Sequence, residues 1–258
     1  KRQVIYRLPR GMSLLRPPSH CPSCGLRLTI IDLVPILSWL WLLGRCRRCR
    51  RPISPRYPLV ELASALLGCA AFYLHSPVPA VFVFAVCAAL LVAFFVDVDH
   101  MIIPDQVHVV IAISGVALDV RWMVQRGALG MVAVHDLVGS QVRTFLWPRS
   151  IVGAAVGAAI FVAVAYLAQI VFRKPALGMG DIKLAAAMGT VLGPGYHFLS
   201  FFLLAVVIGA AVGVMVLILQ RGRRDRYIPF GPMLAVSGIA MTLAPEQMAQ
   251  LVLSRFLL

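Results

Sequence analysis

Long apolar runs, separated by short polar or basic stretches, follow one another along the chain from residue 57 to its end. A helix that crosses a membrane needs about 20 mostly apolar residues, and most of these runs approach or exceed that length. We expect residues 125–149 to form a loop and residues 244–258 to lie along the membrane surface. The pattern predicts an all-α fold, a polytopic helical bundle with about six or seven spans. The predicted membrane-crossing segments are residues 57–74, 78–96, 103–124, 151–172, 182–192, 196–219 and 228–243.

The first 56 residues have a different pattern. Residues 1–20 are basic and rich in proline, and residues 30–44 are apolar but too short to cross a membrane. We predict that residues 30–44 lie at the membrane interface or are partly buried. The chain is therefore expected to consist of a cytosolic or interfacial segment at 1–56 and a transmembrane bundle at 57–258.

The composition agrees with a membrane protein. Of 258 residues, 60% are hydrophobic and 13% are charged, and the mean hydropathy is +0.89; a soluble domain is about 45–50% apolar. A net charge of +14 could indicate nucleic acid or an anionic membrane as a partner. Lys and Arg cluster in short loops between apolar runs, as orientation signals do. We therefore expect the lipid bilayer as a partner and no nucleic acid.

The basic clusters predict an orientation. Counting spans places the arginine-rich stretch at 45–56, Arg173 with Lys174, and residues 221–226 on one side of the membrane. Loops rich in Lys and Arg usually stay in the cytoplasm, so this side is expected to be cytoplasmic. The arginines of the 125–149 loop run against the rule.

Two acidic residues occupy matching positions at the edges of apolar runs. Residues 178–181 read GMGD, and residues 97–105 read DVDHMIIPD, in which Asp97 follows a long apolar run. An ionisable group at the edge of a bilayer is costly and usually marks a functional site with a partner. Asp97 and Asp181 fall on the same side of the membrane, so we predict one shared site. Asp97 could instead be an acid solvated at a helix end.

The chemistry of such a pair is that of an aspartic protease. Two carboxyl groups close together cannot both ionise cheaply, so one keeps its proton while the other acts as base toward a water. No metal is needed. We expect Gly178 and Gly180 to allow a backbone conformation that other residues resist, which would let Asp181 turn inward.

Neighbouring residues are expected to support this site. Pro104 fits the first turn of a helix, where its missing N–H is harmless, and Asp105 in that turn is favoured by the helix dipole. Lys183 could extend its ammonium to lipid headgroups or pair with Asp181. The sequence leaves both alternatives for Lys183 open.

Four of the six cysteines form two CxxC pairs separated by 21 residues. This spacing is typical of a zinc site with four thiolate ligands, although two disulfides would also use four cysteines. The arginine run around the second pair favours the reducing cytoplasm. Cys69 and Cys87 lie in apolar runs and are expected to be buried packing residues. The predicted zinc ligands are Cys21, Cys24, Cys46 and Cys49.

Together these motifs resemble the type IV prepilin peptidases, bifunctional membrane aspartic proteases. The resemblance rests on GMGD followed by Lys183, on the D-x6-P-D stretch that begins at Asp97, and on the paired CxxC motifs. It covers nearly the whole chain, since further segments also look like the family. These segments are IYRLP at 5–9, CPSCG at 21–25, residues 32–39, RCRRC at 45–49 and YPLVEL at 57–62.

The resemblance implies a function. Asp97 and Asp181 would be the catalytic pair, and the four cysteines would bind a structural zinc in a cytosolic subdomain. Members of the family cleave short basic leaders from prepilins and pseudopilins after a glycine. They then methylate the new N-terminal residue with S-adenosylmethionine. A multi-pass protein of the bacterial inner membrane is expected, with its active site facing the cytoplasm.

The resemblance also implies features that these residues do not locate. No glycine-rich nucleotide loop follows a strand, so no residue is assigned to the methyl donor. The family's first transmembrane helix, which normally precedes IYRLP, does not appear, and the chain begins at Lys1 rather than Met. Residues ahead of Lys1 are therefore expected to be missing from this sequence or to have been removed by processing.

Two other functions would also use features of this sequence. A membrane transporter or proton channel could use Asp97 and Asp181 as an ion relay, but the cysteine motif argues against it. A zinc-stabilised assembly scaffold would leave the two aspartates without a role. We expect the chain to act on prepilin-like substrates as a monomer or a homodimer.

Overall fold

The computed structural model describes residues 20–21, 23–126, 131–138, 141–173, 177–219 and 229–256. The chain divides into two compact units, residues 1–70 and 71–258. The division predicted at 56/57 from hydrophobic patterning remains a prediction. In chain order, the helices are α1 (Leu37–Trp41), α2 (Arg56–Leu74), α3 (Pro77–His100), α4 (Asp105–Arg126), α5 (Arg149–Phe172), α6 (Met179–Leu192), α7 (Tyr196–Leu219), α8 (Gly231–Leu243) and α9 (Pro245–Phe256).

The first unit contains two small loops ahead of α2. One loop is closed by a bridge between His20 and Arg27, the other by a bridge between Arg45 and Pro52. Between them lie a 3₁₀ turn, Ile31–Leu33, and the short helix α1. Large apolar side chains of this segment are exposed, as an interfacial position would require: Ile30 is 86% exposed and Trp41 is 90% exposed.

Within the part of the chain that the structure describes, five helices are long and apolar enough to cross a membrane: α2, α3, α4, α5 and α7. The shorter α6 and α8, of 14 and 13 residues, coincide with the two shortest of the predicted crossings. The predicted all-α, multi-pass architecture is therefore confirmed. Cys87 is buried in α3 as expected. Cys69 is exposed instead, because little of α2 is covered by protein.

The core of the second unit forms around α6, which packs against α4 and α5, while α3 packs against α4 and α8. Small residues let α5 and α6 approach closely. A Cβ on Gly153 would collide with the carbonyl of Gly189, and a Cβ on Gly157 would lie 2.6 Å from the carbonyl oxygen of Ala185. This contact fixes α6 and with it the position of Asp181.

The region expected to be a loop contains two strands. The strands are β1 (Met131–Val138) and β2 (Gln141–Pro148), which pair antiparallel with Val138 opposite Gln141. Both are rich in the β-branched and aromatic residues that favour strands. The loop prediction for 125–149 was wrong because it followed polarity and overlooked this propensity. Lys174 and residues 221–226, which helped to predict the orientation, lie outside the described residues.

Candidate active site and thiol cluster

Asp97 lies in the last turn of α3, and the helix ends three residues later, at His100. Met101 adopts a left-handed conformation, with φ of 54°, and its N–H donates to the carbonyl of Asp97. Val98 and Asp99 are exposed, whereas Asp97 itself is only 6% exposed. The carboxyl group thus points into the protein at the end of a span, which is the position predicted for a functional acid.

The first residue of α8 holds the carboxylate of Asp97. The N–H of Gly231 donates a hydrogen bond to it. A Cβ on Gly231 would collide with Oδ2 of Asp97 and lie 2.9 Å from its Cγ. Only glycine fits there. The sequence prediction treated this segment only as a crossing, although the Gly-Pro pair at 231–232 marks a helix start.

Asp181 lies in the first turn of α6, which begins at Met179 rather than near Ile182 as the apolar pattern had indicated. The N–H of Gly178, the N-cap residue, donates to the carboxylate of Asp181. This is the contact that an acid at the third helical position makes in a capping box. Asp97 lies close enough for the two negative charges to repel each other. The structure therefore brings the two predicted acids together.

Ile103, in the connection between α3 and α4, fills the space between the two helix starts. Its Cβ lies 3.4 Å from where a Cβ on Gly180 would be, and its Cδ1 lies 3.1 Å from the same point on Gly231. An apolar side chain at this position packs the starts of α6 and α8 around the acids. Its role was not predicted, since an isoleucine in an apolar context carries no signal.

The expectation of an unusual backbone at the GMGD glycines was wrong. Gly178 has φ of −76° and ψ of 150°, an extended conformation that any residue adopts, and Gly180 is not among the residues with positive φ. The glycines instead leave space. A Cβ on Gly178 would lie 3.6 Å from Oδ2 of Asp181, so a side chain there would cover part of the carboxylate.

A salt bridge joins α4 to α6 next to the acids. Nζ of Lys183 donates to Oδ1 of Asp105 over 2.7 Å, so Lys183 pairs with Asp105 and not with Asp181. Asp105 lies in the first turn of α4, as predicted, and Pro104 is buried directly before it. Nδ1 of His108 is 3.6 Å from the same Oδ1. This cluster ties the start of α6 to α4.

The four predicted zinc ligands form one cluster in the first unit. Their sulfur atoms all lie within 4.8 Å of one another. Sγ of Cys21 is 3.8 Å from Sγ of Cys49, and Sγ of Cys24 is 3.9 Å from Sγ of Cys46. The cysteines are therefore free thiols and not the two disulfides of the alternative reading.

The two loops that carry these thiols repeat one backbone pattern. The N–H of Gly25 donates to the carbonyl of Cys21, and the N–H of Arg50 donates to the carbonyl of Cys46. Both donors have left-handed φ, 67° at Gly25 and 59° at Arg50. Each CxxC is thus a tight turn that directs its two sulfurs to one point.

Backbone N–H groups favour the thiolate form of the first cysteine in each loop. Hydrogen bonds from the N–H groups of Ser23 and Cys24 lower the pKa of Cys21 to about 6. The N–H groups of Cys49 and Arg48 likewise lower the pKa of Cys46. A metal binds the thiolate and not the thiol, so these hydrogen bonds prepare the cluster for an ion.

The sulfur separations fit zinc. A tetrahedral ion with Zn–S distances of about 2.3 Å requires sulfurs about 3.8 Å apart. The two separations given above agree with this edge length. Asp32 supports the second loop by accepting from Arg47 over 2.6 Å. Burial acts to raise the pKa of Asp32, but hydrogen bonds from Thr29 and Arg47 outweigh it and lower this pKa overall.

Comparison with known proteins decides the family. A family model described as "Type IV leader peptidase family" matches residues 83–214, which include Asp97 and Asp181. A second, described as "Bacterial Peptidase A24 N-terminal domain", matches residues 2–75, which include the thiol cluster. The chain belongs to the type IV leader peptidase family. The resemblance identified from the sequence motifs is confirmed.

Curated relatives carry the same family's names. The chain is 33% identical over 247 residues to a prepilin leader peptidase/N-methyltransferase of Aeromonas hydrophila, covering 95% of this chain and 78% of the relative. It is 38% identical over 234 residues to a type 4 prepilin-like proteins leader peptide-processing enzyme of Escherichia coli O78:H11, covering 89% and 76%. A prepilin leader peptidase/N-methyltransferase of Myxococcus xanthus is 38% identical over 220 residues, covering 83% and 58%. No solved structure matches.

Proposed function

We propose that this protein removes the basic leader peptide from type IV prepilins and pseudopilins, with Asp97 and Asp181 as its catalytic pair. One observation carries the proposal: Ile103 packs both against Gly180, the residue before Asp181, and against Gly231, which holds Asp97, within a chain of the type IV leader peptidase family. Two close carboxyl groups share a proton more readily than both ionise. This is the arrangement that activates water for peptide hydrolysis.

The pair would work as a unit. One carboxylate takes a proton from a water, and the water oxygen attacks the carbonyl carbon of the scissile peptide bond. The protonated partner donates a hydrogen bond to the carbonyl oxygen, and the leaving nitrogen is then protonated as the C–N bond breaks. Because coupled groups titrate together, neither Asp97 nor Asp181 is assigned as the acid or the base.

The backbone around the pair would keep its geometry fixed. The N–H of Gly231 orients Asp97, and the N–H of Gly178 orients Asp181. An ionised carboxylate accepts about four hydrogen bonds, so each acid keeps acceptor positions for water and substrate. Fixed donors of this kind lower the reorganisation that a reaction requires.

The position of the pair suits the substrate. Asp97 ends a span, and Asp181 opens the apolar helix α6. A prepilin carries a basic leader ahead of an apolar helix, so its scissile bond would lie at the membrane surface. We place the active site at the cytoplasmic face of the bacterial inner membrane, since the arginine-rich stretch at 45–56 favours that side.

The four thiols would hold one structural zinc. Four protein ligands leave no open position for a water, so the ion would stabilise the first unit without entering the chemistry. Metal analysis of the reduced protein should find one zinc per chain, and Cys46→Ser should lose it. Exposed Cys69→Ser is the matched control and should keep the metal. A folded, reduced protein without zinc would contradict this part of the proposal.

The names of two relatives support a second activity, methyl transfer. The prepilin leader peptidase/N-methyltransferases of Aeromonas hydrophila and Myxococcus xanthus are named for both activities. We propose that this chain also methylates the new N-terminus with S-adenosylmethionine. No residue is assigned to the methyl donor.

One assay separates the two activities. The purified protein is incubated with a peptide that joins a basic leader to an apolar helix, with and without S-adenosylmethionine, and the products are weighed by mass spectrometry. Release of the leader reports cleavage, and the mass of one added methyl group on the remainder reports transfer. An intact peptide would contradict the peptidase. Cleavage without methylation would contradict only the second activity.

A further inference from the structure

A second candidate binding site lies far from the aspartates. A partly open cavity of about 240 Å³ is lined by the beginnings of α3 and α5 and the ends of α4 and α6. Pro79, which lines it, precedes Asp97 by 18 positions in α3, or about 27 Å at the rise of an α-helix. The cavity is therefore at the opposite end of the second unit and is not part of the candidate active site.

One buried acid in the cavity has unused hydrogen-bonding capacity. Asp119 is 7% exposed. Its Oδ2 accepts the N–H of Ser150 over 2.8 Å, but its Oδ1 has no partner among the described residues. A buried carboxylate oxygen without a donor is costly. A ligand that donates a hydrogen bond, and above all a cationic one, would remove that cost.

The cavity also offers a positive charge. Arg149 is already engaged, since it donates to the carbonyl of Leu192 over 2.8 Å and lies 5.5 Å from the ring of Trp122. Arg121 lines the same cavity, and among the described side chains no hydrogen bond or ion pair engages it. The cavity thus has one open acceptor, Oδ1 of Asp119, and a second lining arginine, Arg121, that no described group engages. A zwitterion with an ammonium and a phosphate complements both.

The depth of the cavity favours a lipid as the source of that zwitterion. Its walls are the ends of the candidate spans α3, α4 and α5, which is where headgroups lie. Trp122 is of the residue type that is enriched at this depth, and Pro79, Leu118 and Val191 supply apolar wall.

We infer that this cavity binds the headgroup of phosphatidylethanolamine, with the ammonium donating to Asp119 and the phosphate pairing with Arg121. The choline headgroup has no N–H to donate, and the glycerol headgroup offers only neutral O–H donors, so neither can give Asp119 a hydrogen bond from a cationic donor. The inference does not depend on the proposed peptidase activity, because its readout is lipid binding.

The test is native mass spectrometry of the purified full chain in detergent. Phosphatidylethanolamine, phosphatidylcholine and phosphatidylglycerol with identical acyl chains are added in turn. Phosphatidylethanolamine should bind about tenfold more tightly than either, the ratio that one charge-assisted hydrogen bond supplies. Asp119→Asn keeps an acceptor for the Ser150 N–H and should abolish the preference. Arg121→Gln should weaken all three lipids.

Matched controls lie outside the cavity. Glu246→Gln removes an acid near the start of α9, and Arg255→Gln removes an exposed arginine near its end; both should bind like the unaltered chain. Equal binding of the three lipids by the unaltered chain would overturn the inference. So would a preference that survives in Asp119→Asn.

A second measurement needs no variant. Adding one, two and three methyl groups to the amine of phosphatidylethanolamine removes its N–H donors stepwise, and affinity should fall along the series; a flat series would overturn the inference. Soluble glycerophosphoethanolamine should compete only at concentrations about 100-fold higher, since it lacks acyl chains. Competition at equal concentration would overturn the lipid assignment in favour of a free zwitterion.

Discussion

The thiol cluster and the carboxylate pair are assembled in different ways. The four sulfurs come from two loops that repeat one backbone pattern, and each loop directs its own pair through hydrogen bonds within a few residues. The two carboxylates come from helices α3 and α6, whose acids Asp97 and Asp181 are 84 residues apart in the chain. The N–H that holds Asp97 comes from a third helix, at Gly231. The first site is specified locally, and the second depends on tertiary packing.

This difference matches the proposed roles. Four thiols around one ion leave no position for a reactant, so such a site stabilises structure. Two acids that are each held by one backbone N–H retain free acceptor positions for a water. We therefore expect changes at the thiols to alter metal content and stability. Changes around the acids should alter the cleavage rate, with little effect on metal content or stability.

Removing one carboxylate should lower the cleavage rate more than any other change. Asp97→Asn and Asp181→Asn should each lower the cleavage rate at least about 1,000-fold, because the shared proton and the base are both lost. Zinc content and thermal stability should stay near those of the unaltered chain. Glu246→Gln, an acid outside the pair, should cleave normally. Rapid cleavage by either asparagine variant would end the aspartic-protease account.

A methyl group next to Asp97 should have the second largest effect. Gly231→Ala introduces a Cβ that collides with Oδ2 of Asp97, so the carboxyl group must move. A displacement of about 1 Å can cost about 100-fold in rate. Gly213→Ala is the control, because nothing lies within 4 Å of a Cβ there. Equal rates for the two variants would show that Gly231 does not position Asp97.

The salt bridge beside the acids should have a smaller effect. Asp105→Asn or Lys183→Met should lower the cleavage rate by about fivefold, since a partly exposed ion pair couples weakly. Exchanging the two charges, with Asp105→Lys and Lys183→Asp together, should restore much of the loss. Failure of this exchange to recover any activity would mean that the residues do more than hold α6 against α4.

A change of similar size is expected in the thiol loops, but there it is a gain. Arg50 has the left-handed φ that Gly25 has in the other loop, and a residue with a Cβ is disfavoured there by about 1 kcal/mol. Arg50→Gly should therefore slow zinc release to a chelator about fivefold. Arg48→Gly removes a charge from the same loop without relieving strain and should not slow release. Faster release from Arg50→Gly would contradict the comparison of the two loops.

The sequence predicted most of the fold because the dominant signal was the length of apolar runs. Each predicted crossing coincides with a helix. The hairpin of β1 and β2 was missed because the region between two spans was read by polarity alone. Helix starts were also displaced, as at Met179, because polar residues of a first turn do not belong to the apolar run that follows.

The sequence predicted the thiol cluster more completely than the carboxylate site. The reason is that the thiol cluster is specified locally, whereas the carboxylate site depends on tertiary packing. Cysteine spacing is local, so it was sufficient to predict all four thiols of the cluster. Asp97 and Asp181 could be chosen because an acid at the edge of an apolar run is unusual. Gly231 and Ile103 could not, because their contacts exist only once α3, α6 and α8 have packed. The sequence could not show that Lys183 pairs with Asp105, because this contact also forms only once the helices have packed.

The most direct test of the central claim is whether the two aspartates act as one site. The cleavage rate of a basic-leader peptide is measured by mass spectrometry over long incubations for Asp97→Asn, for Asp181→Asn and for the double variant. Residues that act as a unit are strongly non-additive. The double variant should therefore be no slower than either single variant. Losses that multiply in the double variant, or a single variant that retains cleavage, would contradict a shared catalytic pair.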